Sequence, residues 1–150
     1  MIRKAVVSEV IQIQRVLNHY GDKGILLPRS LSELYEHLRD FYVFTDDEEK
    51  IIGVCALNLC WEELAEIRSL AVVEKHQGNN YGVMLIERCV EEAKTLGLKR
   101  LFTLTYLPEY FKKLGFSIVD KSELPHKVWS DCIKCTKFPD CDETALIREI

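Results

Sequence analysis

Hydrophobic and polar positions along the chain follow two periods in turn, and their order predicts alternating strands and helices. Ile2 to Val6 reads as a short opening strand. Val10, Ile13, Val16, Leu17 and Tyr20 then recur at helical spacing, with Ser8 placed to cap that helix and Gly21 to stop it. Asp22 to Arg29 is a loop in which Pro28 keeps the backbone extended. Ser30-Leu31-Ser32-Glu33 has the form of a capping box and opens a second helix with Leu31, Leu34 and Leu38 turned inward. Two strands follow, Phe41 to Thr45 and Ile51 to Leu59, joined by the acidic turn Asp46-Asp47-Glu48-Glu49. The first is aromatic and the second nearly all apolar, so both are expected in the interior of a sheet.

The next strand, from Leu64 to Val73, alternates so that Ala65, Ile67, Ala71 and Val73 are expected on one face and Glu66 and Arg68 on the other. Gln77-Gly78-Asn79-Asn80-Tyr81-Gly82 follows and opens an amphipathic helix. Its apolar face is Leu85, Ile86, Cys89, Val90, Ala93 and Leu96, opposite Glu87, Arg88, Glu91 and Glu92, and Gly97 ends it. Leu101 to Thr105 is a strand, Pro108 to Lys112 a short helix closed by Gly115, and Phe116 to Val119 a strand again. A last strand spans Thr144 to Ile147. This order implies an α/β class of fold (α+β mixed): a mixed sheet with helices on both faces.

Composition narrows the function. A chain of 150 residues, 47% apolar and 29% charged, is expected to form one domain over residues 1–150 with an ordinary buried core. The net charge of −4 argues against a general nucleic-acid or anionic-membrane binder, because both need a basic excess. Met1-Ile2-Arg3-Lys4 leads into no apolar stretch of signal-peptide length, and the most apolar segment, Ile51 to Trp61, is too short to span a membrane. A cytoplasmic location is expected, with the six cysteines mostly reduced.

Candidate chemistry centres on the loop after the long strand. Backbone N–H groups at a helix N-terminus are unpaired and partly positive, so a pyrophosphate suits that position. Gly78 and Gly82 would let the backbone come close to phosphates, and Asn80 tolerates positive φ. A plain strand-to-helix turn is the other reading. Neither the dinucleotide-binding glycine pattern nor the P-loop fits, since no Gly-Lys-Ser or Gly-Lys-Thr is present.

Gln77-Gly78-Asn79-Asn80-Tyr81-Gly82 resembles the acetyl-CoA signature of the GNAT acetyltransferase superfamily: Gln or Arg, two residues, Gly, one residue, then Gly or Ala. It departs from it once, with Asn80 where the signature has its first Gly. Tyr110-Phe111-Lys112-Lys113-Leu114-Gly115-Phe116 resembles the superfamily's aromatic helix ending in Gly-Phe, with Phe111 where many members have the tyrosine that protonates the leaving thiolate. Within the superfamily the chain is similar to short amino-acid N-acetyltransferases of the N-acetylglutamate synthase type, from Val6 to about Leu124. Gly24-Ile25-Leu26-Leu27-Pro28-Arg29-Ser30, Ala65-Glu66-Ile67-Arg68-Ser69-Leu70-Ala71-Val72, and Leu101-Phe102-Thr103-Leu104-Thr105 running to Gly115-Phe116 carry this likeness. The resemblance is to the short, single-domain type, without the amino-acid-kinase domain of the long enzymes.

The resemblance implies a GNAT fold with a mostly antiparallel sheet, acetyl-CoA as cosubstrate, and direct acetyl transfer to the α-amino group of an amino acid, L-glutamate first, at the start of arginine biosynthesis. It implies Glu66 as general base, directly or through water; a free Glu titrates near about 4.3, so burial would have to raise it. The alternative for Glu66 is an ion pair with Arg68. The resemblance further implies an oxyanion donor at the Leu70 backbone, a thiolate-protonating hydroxyl at Thr105, and a cosubstrate surface of Leu70, Ala71, Val72, Gln77, Gly78, Asn79, Asn80, Tyr81, Gly82 and Phe111. A structural role is the other reading for Thr105. Arg29 and Arg68 are the cations expected to grip the acceptor's carboxylates, with Lys23 a lesser one. Glutamine would suit nearly the same site. Enzymes of this type are often dimers, so a homodimer is expected. A non-catalytic acetyl-CoA sensor or a metal-bearing interaction module is the reading from another class.

Cys132-Ile133-Lys134-Cys135, Cys141 and His126 supply enough ligands for a tetrahedral site, but only the 132–135 spacing fits a zinc module. No metal is therefore expected, and zinc stays an alternative. His126 and Trp129 could instead close over the substrate. Cys55, Cys60 and Cys89 read as buried thiols.

Overall fold

The aromatic and β-branched run Phe41–Thr45 forms β2, buried along its whole length because it lies between two antiparallel partners, β1 (Ile2–Lys4) and β3 (Ile51–Trp61). The structure, a computed structural model, describes residues 1–22, 29–124 and 143–150. In these, seven strands form one sheet in the order β1-β2-β3-β4-β5-β7-β6. β4 (Leu64–Val72) runs antiparallel to β3 and parallel to β5 (Arg100–Thr105). β7 (Thr144–Glu149) is antiparallel both to β5 and to the outer strand β6 (Ser117–Val119). The mixed, mostly antiparallel sheet is thus as expected. Among the described residues no helix is long and apolar enough to cross a membrane.

Helices cover both faces. α3 (Tyr81–Thr95) buries Leu85, Ile86, Cys89, Val90 and Ala93 with Cys55, Leu57, Ala65 and Ile67 of the sheet. On the opposite face α1 (Val10–Asp22) and α2 (Leu31–Glu36) bring Val10, Ile13, Leu17 and Leu34 onto Val43, Val54, Ala56 and Ala71. Each such fully buried aliphatic side chain contributes about 1.5–3 kcal/mol. A short helix, α4 (Pro108–Lys112), opens with proline in its first turn.

Local chemistry corrects several sequence expectations. Ser8 does not cap α1: it lies in a 3-10 turn, Val7–Glu9, and Glu9 instead accepts the Val6 N–H at 2.9 Å. Glu9 is buried, and its carboxyl is held below the usual range first by its hydrogen bonds from Arg3, at 2.9 and 2.8 Å. Nor does Gly21 stop α1, which continues to Asp22. Ser30 caps α2 by accepting from the Glu33 N–H at 3.2 Å. With only six residues α2 turns Leu34 alone into the core, and Leu31 is exposed. Leu96 is exposed too, because Gly97 at φ 86° ends α3 in a Schellman turn whose Leu98 N–H bonds the Ala93 carbonyl at 3.0 Å. Leu98 takes the buried place.

The largest correction concerns β4. Val54 pairs with Ala71 but Ala56 with Arg68, so Cys55 alone faces Ser69 and Leu70. This is a β-bulge, and Ser69 adopts φ 56° within it. The extra residue inverts the alternation: Ala65 and Ile67 face α3, whereas Ala71 joins the core under α1. Leu70 and Val72 pack toward α3 in its stead, and Val73 lies past the strand's end. Ser69→Val places a β-branched residue in the left-handed region and should cost about 1–3 kcal/mol, whereas Ser69→Gly should be as stable as the parent or slightly more so. Urea unfolding compares the two, and equal stabilities would show that the bulge does not depend on residue 69.

Candidate active site

β4 and β5 pair only at Leu64↔Arg100, Ala65↔Leu101 and Glu66↔Phe102. Beyond that rung they part, although β4 runs on to Val72 and β5 to Thr105. The buried Thr103 hydroxyl, donating to the Ile67 carbonyl at 2.9 Å, ties the strands just past the last rung. Beyond it, Leu70, Ala71 and Val72 of β4 have no rung to β5. Thr105 ends the opposite side, and its Oγ accepts the Leu107 N–H at 2.9 Å.

Glu66 occupies the last shared rung, with Asn58 opposite it on β3, and Arg68 lies opposite Ala56. Both point to the α1/α2 side, as the alternation predicts up to the bulge. An Arg68 Nη lies 3.8 Å from Glu66 Oε1, and the two side chains keep only 10% and 13% of their exposure. The ion pair weighed as the alternative for Glu66 is therefore present, at a separation that is long for a bonded pair.

Arg29 approaches from the far side. The Asn18 side-chain oxygen accepts its N–H, and Gln14 donates to its carbonyl, each at 3.3 Å, so α1 holds its backbone. Its guanidinium, 10% exposed, lies 3.4 Å from Glu33. Arg29 and Arg68 line one cleft with Glu33, Leu34, His37, Phe41 and Ser69. His37 Nδ1 is 3.5 Å from Asp40 Oδ2, which accepts from the Asn58 amide at 2.9 Å. Sequence reading missed His37, Asp40 and Asn58. The usable signal was the β3–β4 hairpin register, which sets Asn58 against Glu66.

At the other end of β4 the loop closes on itself. The Gln77 side chain donates to the Val72 carbonyl at 2.9 Å and Asn79 to the His76 carbonyl at 3.1 Å. Gly78 takes φ 86°, and Asn80, the N-cap of α3, takes φ 63°. Asn80 thus holds the left-handed turn that a glycine would hold, at the price asparagine tolerates best among side-chain-bearing residues. Gly82 has a further constraint: a Cβ there would lie 2.6 Å from the Tyr110 hydroxyl. Burial, reinforced by the nearby Cys55 thiol, holds the Tyr110 phenol above its ordinary range and so protonated at neutral pH. Phe111 is buried edge-on between Tyr110 and Phe116, and the Tyr81 ring packs on Phe44, 4.4 Å between centroids.

Cys55, Cys60 and Cys89 are buried and reduced, as expected. The hydrogen bond with Cys89, together with burial, pushes the Cys55 thiol well up. Among the described residues no three metal-ligating side chains cluster. Lys23, the Gly24–Pro28 segment, His126, Trp129, Cys132, Cys135 and Cys141 lie outside the described residues.

Comparison with known proteins agrees with this geometry. The chain is 36% identical over 149 residues to an uncharacterized N-acetyltransferase of Chlorobaculum tepidum, covering 99% of this chain and 96% of that protein. It is 32% identical over 133 residues to an amino-acid acetyltransferase of Mycobacterium tuberculosis, 87% of this chain and 76% of that one. The fold superposes with TM-score 0.90 and 28% identity on N-acetylglutamate synthase from Neisseria gonorrhoeae, solved with coenzyme A and N-acetyl-glutamate. That match covers 99% of this chain and 34% of the gonococcal one, so the chain spans about a third of that neighbour's length. Residues 13–116, from α1 to the Gly-Phe that follows α4, match the model of the acetyltransferase (GNAT) family. With the parted β4 and β5 and the loop at the start of α3 inside that match, the chain belongs to the acetyltransferase (GNAT) family.

Proposed function

We propose that this chain is an amino-acid N-acetyltransferase that moves the acetyl group of acetyl-CoA directly to the α-amino nitrogen of L-glutamate, the opening step of arginine biosynthesis. One observation carries the reading: Arg29 and Arg68, each 10% exposed, converge in a single cleft beside Glu66 where β4 leaves β5. Two fixed guanidiniums suit an acceptor bearing two carboxylates, which cannot be desolvated unpaired. A carboxylate next to them suits removal of a proton from the acceptor's ammonium. The gonococcal neighbour's bound N-acetyl-glutamate and the name of the M. tuberculosis relative support the same acceptor class.

In this reading the N-terminus of α3 and the loop from Gln77 to Gly82 receive the pyrophosphate, and the β4 edge at Leu70, Ala71 and Val72 receives the arm of the cosubstrate, with Phe111 packed behind it. Glu66 takes a proton from the α-ammonium, directly or through one water. The freed nitrogen lone pair attacks the thioester carbonyl carbon, and the resulting oxyanion accepts the Leu70 N–H. The C–S bond then breaks: the thiolate takes the Thr105 hydroxyl proton while the Thr105 oxygen takes the second proton of the attacking nitrogen, so a neutral amide and a thiol leave and the threonine alcohol is restored. The Thr105 oxygen already accepts from Leu107, so its own proton is left to donate.

Thiol release from acetyl-CoA over a panel of amino acids tests the assignment. Glu66→Gln should lower kcat by about 10²- to 10⁴-fold while leaving thermal unfolding and acetyl-CoA binding in place. Acetyl-CoA binding with no amine turned over by the parent chain would overturn the catalytic reading in favour of a sensor. Arg29→Ala or Arg68→Ala should raise KM for glutamate roughly tenfold or more and leave KM for acetyl-CoA nearly unchanged; equal rises in both would place the arginines elsewhere in the reaction. Gly82→Ala pushes a methyl group toward Tyr110 and should raise KM for acetyl-CoA, with Gly82→Ala/Tyr110→Phe recovering part of the loss. No recovery would mean that the backbone approach at residue 82, and not the tyrosine, demands glycine.

A further inference from the structure

We propose that Glu33 chooses the acceptor's side chain: its carboxylate, set beside the Arg29 guanidinium in the cleft, admits a terminal carboxamide and so makes glutamine a second acceptor alongside glutamate. This deepens the amino-acid acetyltransferase reading and rests on it. In that reading Glu66 takes its proton from the α-ammonium, and the α-carboxylate hangs on the neighbouring carbon. Arg68, 3.8 Å from Glu66, is therefore the cation for the α-carboxylate. Arg29, held on α1 and lining the same cleft, is the cation for the end of the side chain.

What a side chain meets there is not a bare cation. Glu33 Oε2 lies 3.4 Å from an Arg29 Nη, and both residues line the cleft. The Ser30 hydroxyl donates to the other carboxylate oxygen, Oε1, at 3.2 Å, while the Ser30 oxygen accepts the Glu33 N–H at 3.2 Å. The cap that starts α2 thus also holds the Glu33 carboxylate, with one oxygen at Ser30 and the other at Arg29. Gln14 and Asn18 of α1 hold the Arg29 backbone. The protein's own contacts therefore place a donor and an acceptor side by side in the cleft.

A terminal carboxamide is the complement of that pair. Its carbonyl accepts from the guanidinium, whose fork carries five N–H donors, and its amino group donates to the Glu33 carboxylate. A terminal carboxylate accepts from Arg29 as well, but it brings a negative charge next to Glu33 and has no proton to offer it. Two arginines by themselves would favour the acid, because each adds a positive charge. Glu33 works against that preference, so selection rests on a repulsive contact with one acceptor as much as on an attractive contact with the other.

The test compares kcat/KM for L-glutamate, L-glutamine and L-glutamate γ-methyl ester on the full chain at one pH near neutrality. The ester keeps the distal carbonyl and lacks both the charge and the N–H. The parent chain should turn over glutamate and glutamine, and should take glutamine about tenfold better than the ester, the size of one hydrogen bond to a charged group. Glu33→Gln keeps an acceptor oxygen and removes the charge, so the ratio of glutamate to glutamine should rise about tenfold. Glu33→Ala removes the acceptor too, and should also bring glutamine and the ester close together. Glu33 keeps 36% of its side-chain exposure, so neither change opens a hole in the core, and thermal unfolding should move little. A glutamate-to-glutamine ratio unchanged in both variants, with the two specificity constants falling together, would reduce Glu33 to a support for Arg29 and overturn its role in selection. A parent chain that turns over glutamate and not glutamine overturns it as well. Failure of the parent chain to acetylate either amino acid overturns the functional reading beneath it instead.

Discussion

The constraint on which the site depends is that β4 serves two partners and leaves one of them halfway. Against β3 it stays paired almost to its end, whereas against β5 it is paired for three rungs only. A regular strand could not do this and also keep its side chains in register with two cores, because side chains alternate strictly along a pleat. The left-handed Ser69 resolves the conflict by spending one residue on a bulge. Glu66 and Arg68 keep the face they share with α1 and α2, and beyond the bulge Leu70 and Val72 turn back to pack under α3. The strained residue sits in the lining of the cleft itself, next to Arg68, which is where backbone strain concentrates in proteins.

The second requirement is electrostatic. Two arginines and a glutamate lie within a part of the molecule that excludes most water. An isolated buried charge is costly, so each is accompanied: Arg68 by Glu66, Arg29 by Glu33. These pairings are loose, at 3.8 and 3.4 Å, compared with Arg3 on Glu9 at 2.8 Å, which serves the fold.

Most of the fold was legible because its signals are local. Phe41–Thr45 and the five inward positions of α3 follow directly from period and composition. Elements failed where a neighbour decided the outcome. Leu96 fits the helical period, but the Schellman turn at Gly97 hands its place to Leu98. Ser8 has the right chemistry for a cap, but it lies inside a 3-10 turn that a glutamate one residue on closes through the Val6 N–H, with an arginine behind it. The bulge at Ser69 was invisible because the apolar positions Ala65, Ile67 and Ala71 satisfy an unbroken alternation equally well. In the candidate site, the shared side of Glu66 and Arg68 was legible from their spacing on β4. His37 was not, since a histidine after a short helix carries no signal until the sheet register brings Asn58 and Asp40 together.

The side-chain amide of Gln77 clasps the end of β4 through the Val72 carbonyl, so the turn into α3 is shaped by the protein before any nucleotide reaches it. The cleft of Arg29 and Arg68 lies on the other side of β4, under α2. In the proposed reaction the two ligands accordingly arrive by separate routes, and neither must vacate the molecule to admit the other. The kinetics that follow are those of a ternary complex, with intersecting double-reciprocal lines, in place of the parallel lines of an acylated enzyme shuttling between substrates.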